Sequence, residues 1–214
     1  MQEPLFRPPS KKDYCIEHQL GDASISEFPN AFDREEADSL LQSLLNKIQW
    51  QQDYLKIAGK TVAVPRLQCW MGDKESNYGY SGIRLEPVAW QNDVQIIRER
   101  VETFCGRRFN SVLLNYYRNG NDSVAWHADD EVELGKNPII ASVSFGSERS
   151  FQLKPKHAAN HTTKKGKFSM VLGHGSLIVM GAGLQENWIH QIAKVKDLLE
   201  PRINLTFRNI IGRC

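Results

Sequence analysis

The sequence predicts an α+β chain, mainly β: an antiparallel sandwich or barrel buttressed by helices at its N-terminal side. Apolar stripes of helical period occur only before residue 106. From Phe109 onward the chain breaks into short β-branched and aromatic runs separated by turn residues, with no helix between them. The composition is that of an ordinary globular domain: 214 residues, 41% apolar and 24% charged.

Residues 1–25 are polar, carry Pro4, Pro8 and Pro9 and show no period, so a flexible N-terminal arm is expected, followed by a single domain over 26–214. Asp33 with Glu36 three positions on is a capping-box variant, and Phe32 can staple onto Ala37. Ala37, Leu40, Leu41, Leu44, Leu45 and Ile48 then follow the i, i+3, i+4, i+7 stripe of a helix. A second helix over Val88–Cys105 aligns Val94, Ile97, Val101 and Phe104 on one face, and Gly106 can end it. Strands are predicted at Val112–Tyr117, Val124–His127, Ile139–Phe145, Ser150–Leu153, Phe168–Leu172, Ser176–Met180, Trp188–Gln191 and Arg202–Ile210, with Asn119-Gly120 as a turn signal.

Several function classes lose support. The N-terminus has no apolar core segment, so a secretory signal is not expected. The apolar stretches are strand-length, far below the ~18 residues of a membrane helix. Cys15, Cys69, Cys105 and Cys214 have neither zinc nor redox spacing, which suits reduced thiols inside a cell, in the cytoplasm if bacterial or the nucleus if eukaryotic. A monomer is expected. There is no Gly-rich phosphate loop and no Gly-x-Ser-x-Gly elbow. His157-x-x-x-His161 has a zinc-like spacing, but in a basic stretch without Cys or acid it reads as a solvated loop. His174, between two glycines, reads as a turn residue.

His127-Ala128-Asp129 is a His-x-Asp at a predicted strand end, where period two lets both side chains address one ion. His190 can supply a third ligand, completing the two-His, one-carboxylate set of non-haem Fe(II) oxygenases. On the last strand Arg202, Asn204, Thr206 and Arg208 share one face and Ile203, Leu205 and Phe207 the other. The polar face reads either as the solvated face of an edge strand or as a carboxylate cradle, because guanidinium pairs bidentately with carboxylate. Asn115 and Tyr117 lie shortly upstream of the His-x-Asp and offer further donors.

Taken together, Asn115-x-Tyr117, Gly120, His127-x-Asp129, Ser142-Val143-Ser144-Phe145-Gly146, Gly175-Ser176-Leu177, Trp188-x-His190 and Arg202-x-Asn204-x-Thr206-Phe207-Arg208 resemble the AlkB family of Fe(II)/2-oxoglutarate dioxygenases. Val64-Pro65-Arg66 and the Tyr78–Gly82 stretch match its DNA-repair homologues, and the likeness runs over about residues 28–212. It implies a double-stranded β-helix (jelly roll), with a nucleotide-recognition region at about 50–85. It implies Fe(II) held by His127, Asp129 and His190, with 2-oxoglutarate and O2 as cosubstrates. It places Asn115, Tyr117, Arg202, Asn204, Thr206 and Arg208 around 2-oxoglutarate.

The implied activity is oxidative demethylation of 1-methyladenine and 3-methylcytosine in DNA, or RNA, releasing formaldehyde and succinate. Methylation makes these bases cationic and unable to pair, hence cheap to flip into a site with aromatic faces and a carboxylate. Tyr78, Tyr80 and Asp130 are the implied substrate contacts, with Arg66 supporting the site or a phosphate. Alternatives with the same iron chemistry are an RNA demethylase or a protein hydroxylase; a non-catalytic nucleic-acid-binding module is the reading from another class. Duplex-acting homologues carry a bulky aromatic wedge before the Val-Pro-Arg stretch, where this chain reads Ile57-Ala58-Gly59-Lys60, so single strands are the expected substrate. The net charge of +2 conceals a segregated map. No acid lies between Glu148 and Glu186, a stretch that holds Lys154, Lys164 and Lys165, and these lysines are the expected contacts to the nucleic-acid backbone.

Overall fold

The computed structural model describes residues 14–57, 59–74, 76, 78–80, 83–156 and 166–211; for 57, 78–80 and 83–85 it describes the backbone alone. In chain order the elements are β1 (Ile16–Leu20), β2 (Ala23–Phe28), α1 (Arg34–Lys47), β3 (Tyr54–Ile57), β4 (Lys60–Ala63), β5 (Leu67–Gly72), β6 (Tyr78–Tyr80), β7 (Ile83–Leu85) and α2 (Asn92–Cys105). There follow β8 (Ser111–Tyr117), β9 (Val124–His127), β10 (Ile140–Gly146), β11 (Arg149–Pro155), β12 (Phe168–Leu172), β13 (Ser176–Met180), a short α3 (Leu184–Asn187), β14 (Trp188–Ile192) and β15 (Arg202–Arg208).

The helices start as their sequences dictate. Asp33 Oδ1 accepts from the Glu36 backbone N–H at 2.9 Å, so the cap forms, while the Glu36 carboxylate turns to Arg100 on α2 at 3.1 Å and ties the two helices together. The second helix begins at Asn92 rather than Val88, because the Gln91 side chain caps it and Val88 bridges to Met71 instead. Gly106 ends it in the left-handed region at φ 62°.

Strands β8 to β15 are shared between two antiparallel sheets, alternating except for the β11–β12 hairpin. β8, β10, β13 and β15 enter a seven-stranded sheet ordered β1-β2-β13-β10-β15-β8-β5, while β9, β11, β12 and β14 form a four-stranded sheet ordered β12-β11-β14-β9. Four strands from each sheet in this alternation make the jelly roll. Leu113, Ile140 and Ile178 of the large sheet meet Phe151, Leu153, Met170 and Ile192 of the small one in the core between them. On the far side of the large sheet, Leu40 and Leu44 of α1 and Ile97 and Val101 of α2 cover Val112, Val143, Leu177, Ile203, Leu205 and Phe207. Every residue of β15 is therefore buried, one face under the helices and the other between the sheets.

One expectation needs correction. The first 25 residues are not all an arm: β1 and β2 extend the large sheet along β13, and Leu20, Ala23 and Ile25 enter the inter-sheet core. Residues 1–13 lie outside the described part of the chain. Asn119-Gly120 is a turn, but it joins β8 to β9 across the two sheets. Gly120 exchanges backbone hydrogen bonds of 2.8 Å with Val195 and Leu198. A Cβ there would collide with the Val195 carbonyl, so close approach demands the glycine. No helix among the described residues is long and apolar enough to cross a membrane.

If the helix layer carries the outer face of the large sheet, Leu205→Ala should lower the stability to urea by about 2–5 kcal/mol, the usual range for a buried leucine. A loss below about 1 kcal/mol would mean that this contact is slack.

Candidate active site

His127 ends β9, an edge strand, and His190 lies directly opposite it on β14, with ring centroids 4.3 Å apart. A register shift between His190 and Ile192 marks a bulge in this pairing. It lets both Val124 and His127 line the pocket between the sheets although they are three residues apart. The Ala125 carbonyl is left 2.8 Å from His127 Nδ1. A carbonyl only accepts, so Nδ1 is a donor, and in the neutral tautomer that this contact favours the lone pair lies on Nε2. That Nε2 lies 3.7 Å from Asp129 Oδ1, and one ligand atom each from His127, Asp129 and His190 fall within 4.8 Å of one another.

The electrostatics suit a cation. Burial by itself pushes the Asp129 carboxyl upward, but the Arg208 guanidinium at 3.0 Å, aided by the two imidazoles, holds it down at about 2. Burial pushes His190 down to about 3, reinforced by His127 and opposed by Asp129. Asp129 thus presents an ionised carboxylate and His190 a neutral imidazole, the protonation states a metal ion requires of them. The Asp129 backbone N–H donates to Gln185 Oε1 at 3.0 Å, which fixes the chain just beyond the strand.

The pocket wall next to the triad is the inward face of β15 and its neighbours. Register places Arg202 beside Tyr117, and Asn204 between Asn115 and Ser144. Arg202, 2% exposed, gives one N–H to Ser144 Oγ at 3.0 Å. Its Nε and Nη1 are buried without an acceptor among the described residues. Burial lowers its pKa, opposed by the Tyr117 phenol beneath it. An orphaned buried guanidinium edge is what an anionic ligand would complete. Asn115 Oδ1 accepts from Arg66 Nε at 2.8 Å and Gln68 Nε2 at 3.0 Å. Because Arg66 can only donate, the Asn115 amide is oriented, and its NH2 is the group left to donate. Asn204 donates to Ser142 Oγ at 2.8 Å and accepts from Thr206 Oγ1 at 3.0 Å, so these two brace each other.

The comparisons agree with this geometry. The family model of the 2OG-Fe(II) oxygenase superfamily matches residues 24–208. The chain belongs to that superfamily, and the following relatives place it in the AlkB family. It is 39% identical over 188 residues to the human alpha-ketoglutarate-dependent dioxygenase alkB homolog 3, covering 86% of this chain and 65% of that protein. The bovine counterpart is 37% identical over 98% of this chain and 76% of its own length. The human DNA oxidative demethylase ALKBH2 is 36% identical, covering 84% of this chain and 71% of its own. The solved structure of OsALKBH1 aligns with a TM-score of 0.62 at 13% identity, covering 91% of this chain and all of that one, which supports the fold. The His127, Asp129 and His190 donor set fits the Fe(II) for which this superfamily is named.

The residues expected at the site converge with some differences of placement. His127, Asp129, His190, Asn115, Tyr117, Arg202, Asn204, Thr206 and Arg208 all line one pocket between the sheets. Arg66, grouped by sequence with the substrate contacts, is 4% exposed and tied to Asn115 and to the Ser123 carbonyl, so it braces the pocket wall. Asp130 lies outside the pocket, exposed and ion-paired with Lys156 at 2.6 Å. Lys154 stands over the Trp126 ring at 4.5 Å. Tyr78 and Tyr80 fall on β6, but their side chains, like His157, His161, Lys164 and Lys165, lie outside the described part of the chain. His174 does sit at a turn, where its Nδ1 accepts from the Gly146 N–H at 2.8 Å. Nothing in the sequence points to Gln185 or Gln68, and Ser142 and Ser144 stand out there only as part of a motif; Gln185 arrives from α3, the other three through cross-strand register.

Acid should loosen the chelator-treated protein. Below pH ~6.5 the unfolded chain protonates the residue-190 imidazole while the folded one, at about 3, does not, so stability falls as pH drops. Asp129, held at about 2, adds a further loss below pH ~4. Urea midpoints between pH 7 and 4.5 should fall, and less steeply in His190→Gln; equal slopes would show that His190 titrates normally.

Proposed function

We propose that this chain is an oxidative demethylase of N-alkylated bases, 1-methyladenine and 3-methylcytosine, in DNA, working on single strands. The observation that carries the reading is one buried pocket with a His-Asp-His triad at one side and the unsatisfied edge of Arg202 at the other. The names of the relatives, DNA oxidative demethylase among them, support the substrate class. His127, Asp129 and His190 would hold Fe(II), and Arg202 would take the distal carboxylate of 2-oxoglutarate. Asn115 and Tyr117 donate to the cosubstrate, Arg208 stands near its 1-carboxylate, and Asn204 and Thr206 line the wall. When bound, the iron with 2-oxoglutarate and O2 supplies hydroxylation of the N-methyl carbon, leaving succinate and CO2.

The chain's own residues do the rest. Arg208 keeps Asp129 ionised, the sheets exclude water from the cosubstrate, and His127 offers one ring face to the incoming base. Tyr78 and Tyr80 are assigned to the base, Asp130 to its exocyclic amine, and Lys154, Lys164 and Lys165 to the phosphates. The hydroxymethyl O–H then gives its proton to water, the C–N bond breaks with its electron pair left on the ring nitrogen, and formaldehyde departs from a neutral base that can pair again. The small side chain of Ala58 at the β3–β4 tip, itself outside the described residues, supports single strands because it offers no wedge to fill a gap in a duplex. We place the protein inside the cell as a monomer; the thiols of Cys15, Cys69 and Cys105 are unpaired, as a reducing compartment leaves them.

Succinate release should require Fe(II), 2-oxoglutarate and a methylated oligonucleotide. His127→Ala should cut it more than ~100-fold, since even groups that merely support a metal ligand are worth ~10–100-fold. Unchanged release by that variant would sink the metal assignment. In matched oligonucleotides carrying 1-methyladenine, single-stranded DNA should be repaired faster than duplex; faster duplex repair would overturn the strand preference, and faster repair of RNA the choice of DNA.

A further inference from the structure

Arg149 opens β11 on the small sheet, is 2% exposed and has so far been given no role. A guanidinium removed from water needs compensation. Asp122, the acid that bears on it, is already held by Arg118, whose Nε and Nη2 reach its two oxygens at 2.7 and 2.8 Å. Arg149 Nη2 donates instead to the backbone oxygens of Asp122 and Ala193, and its Nε is buried without an acceptor among the described residues. Its guanidinium carbon stands 5.5 Å from the centre of the Tyr117 ring, and that of Arg202 stands 5.0 Å from the same centre. Burial lowers the pKa of both, and the Arg149 charge further disfavours that of Arg202.

Two like charges around one phenol, both desolvated and neither ion-paired with a carboxylate among the described residues, weaken the fold unless something negative joins them. Of the other arginines along the pocket, Arg208 is already matched by Asp129, and Arg66 has the Asp53 carboxylate in its field. The uncompensated charge therefore gathers at the Arg202 end of the pocket. A carboxylate on Arg202 would stand within reach of the field of both guanidiniums, in a dry site where that field is weakly screened.

We propose that Arg149 is a positioning residue for the cosubstrate, holding the Tyr117 ring and the chain beyond His190 while its charge helps select a 2-oxo acid with a distal carboxylate. The proposal rests on the assignment of Arg202 and Tyr117 to that carboxylate. It acts through Tyr117 and through the field, without touching the reacting atoms. Arg149 should thus govern which 2-oxo acid binds far more than how fast the bound one reacts.

The test is calorimetric binding of 2-oxoglutarate and of 2-oxopentanoate, which has the same chelating end and no distal carboxylate, to the full chain loaded with Mn(II). Arg149→Met should weaken 2-oxoglutarate about tenfold and 2-oxopentanoate by less than about twofold, whereas Arg149→Lys, which keeps the charge, should retain most of the preference. Equal loss of both acids in Arg149→Met would reduce Arg149 to a prop for the corner, and no loss of either would show that its charge is not felt; both overturn the proposal. Should Arg149→Met fail to fold, Arg149→Lys decides alone: a loss of the preference despite the retained charge overturns it. Arg202→Met separates the two levels. It should abolish the preference, and if it does not, the cosubstrate assignment fails whatever Arg149 does.

Discussion

The ion pair between Arg208 and Asp129 joins the two sheets at the place where the chemistry is assigned. Arg208 ends β15 of the large sheet and Asp129 follows β9 of the small one, and the two meet at 3.0 Å with both side chains almost wholly buried. Such a pair is a poor device for stability, since well-packed apolar residues of similar volume do as well or better. What it does is hold a carboxylate ionised in a dry interior, where burial alone would have driven it neutral. The triad depends on that, because a protonated Asp129 offers a cation nothing.

A second constraint makes the pair possible. An inward face of Arg, Asn, Thr and Arg would leave a sandwich short of apolar core, and here the two helices make up the deficit from the other side. Ile203, Leu205 and Phe207 pack under α1 and α2, so β15 is anchored by its outer face while its inner face is free to be polar. The solvated edge strand that the same alternation would allow does not occur, since β15 lies between β10 and β8. The polar face is then partly satisfied from within, by the Thr206–Asn204–Ser142 chain and by Ser144 on Arg202. Among the described residues, the Arg149 Nε and the Arg202 Nε and Nη1 at one end of the wall remain without an acceptor.

Much of this was legible in the sequence wherever one element carried the signal by itself. Period two along Arg202–Arg208 separates the two faces without any knowledge of what covers them. The capping pair Asp33 and Glu36 and the stripe from Ala37 to Ile48 announce α1, and His127-x-Asp129 announces the ligand pair. What stayed hidden depends on pairing between distant segments. β1 and β2 are short and half polar, and only the β13 edge makes them strands. Gln185 reaches Asp129 from 56 positions away, and Gln68 reaches Asn115 from 47. Arg149 looked like one more cation in a basic stretch, because burial is not written in residue type.

The same reasoning explains why the bulge in β9 belongs with the chemistry. With unbroken alternation Val124 and His127, three residues apart, would point to opposite faces. The register shift against β14 turns both inward, so the valine joins the inter-sheet core while the histidine faces His190. It also leaves the Ala125 carbonyl beside Nδ1, which selects the tautomer with its lone pair toward Asp129. One extra residue thus sets the position, direction and tautomer of the imidazole at once. The bulge, the pair at Arg208 and the helix-covered strand make a single arrangement: each puts a polar group where the fold alone would have placed an apolar one.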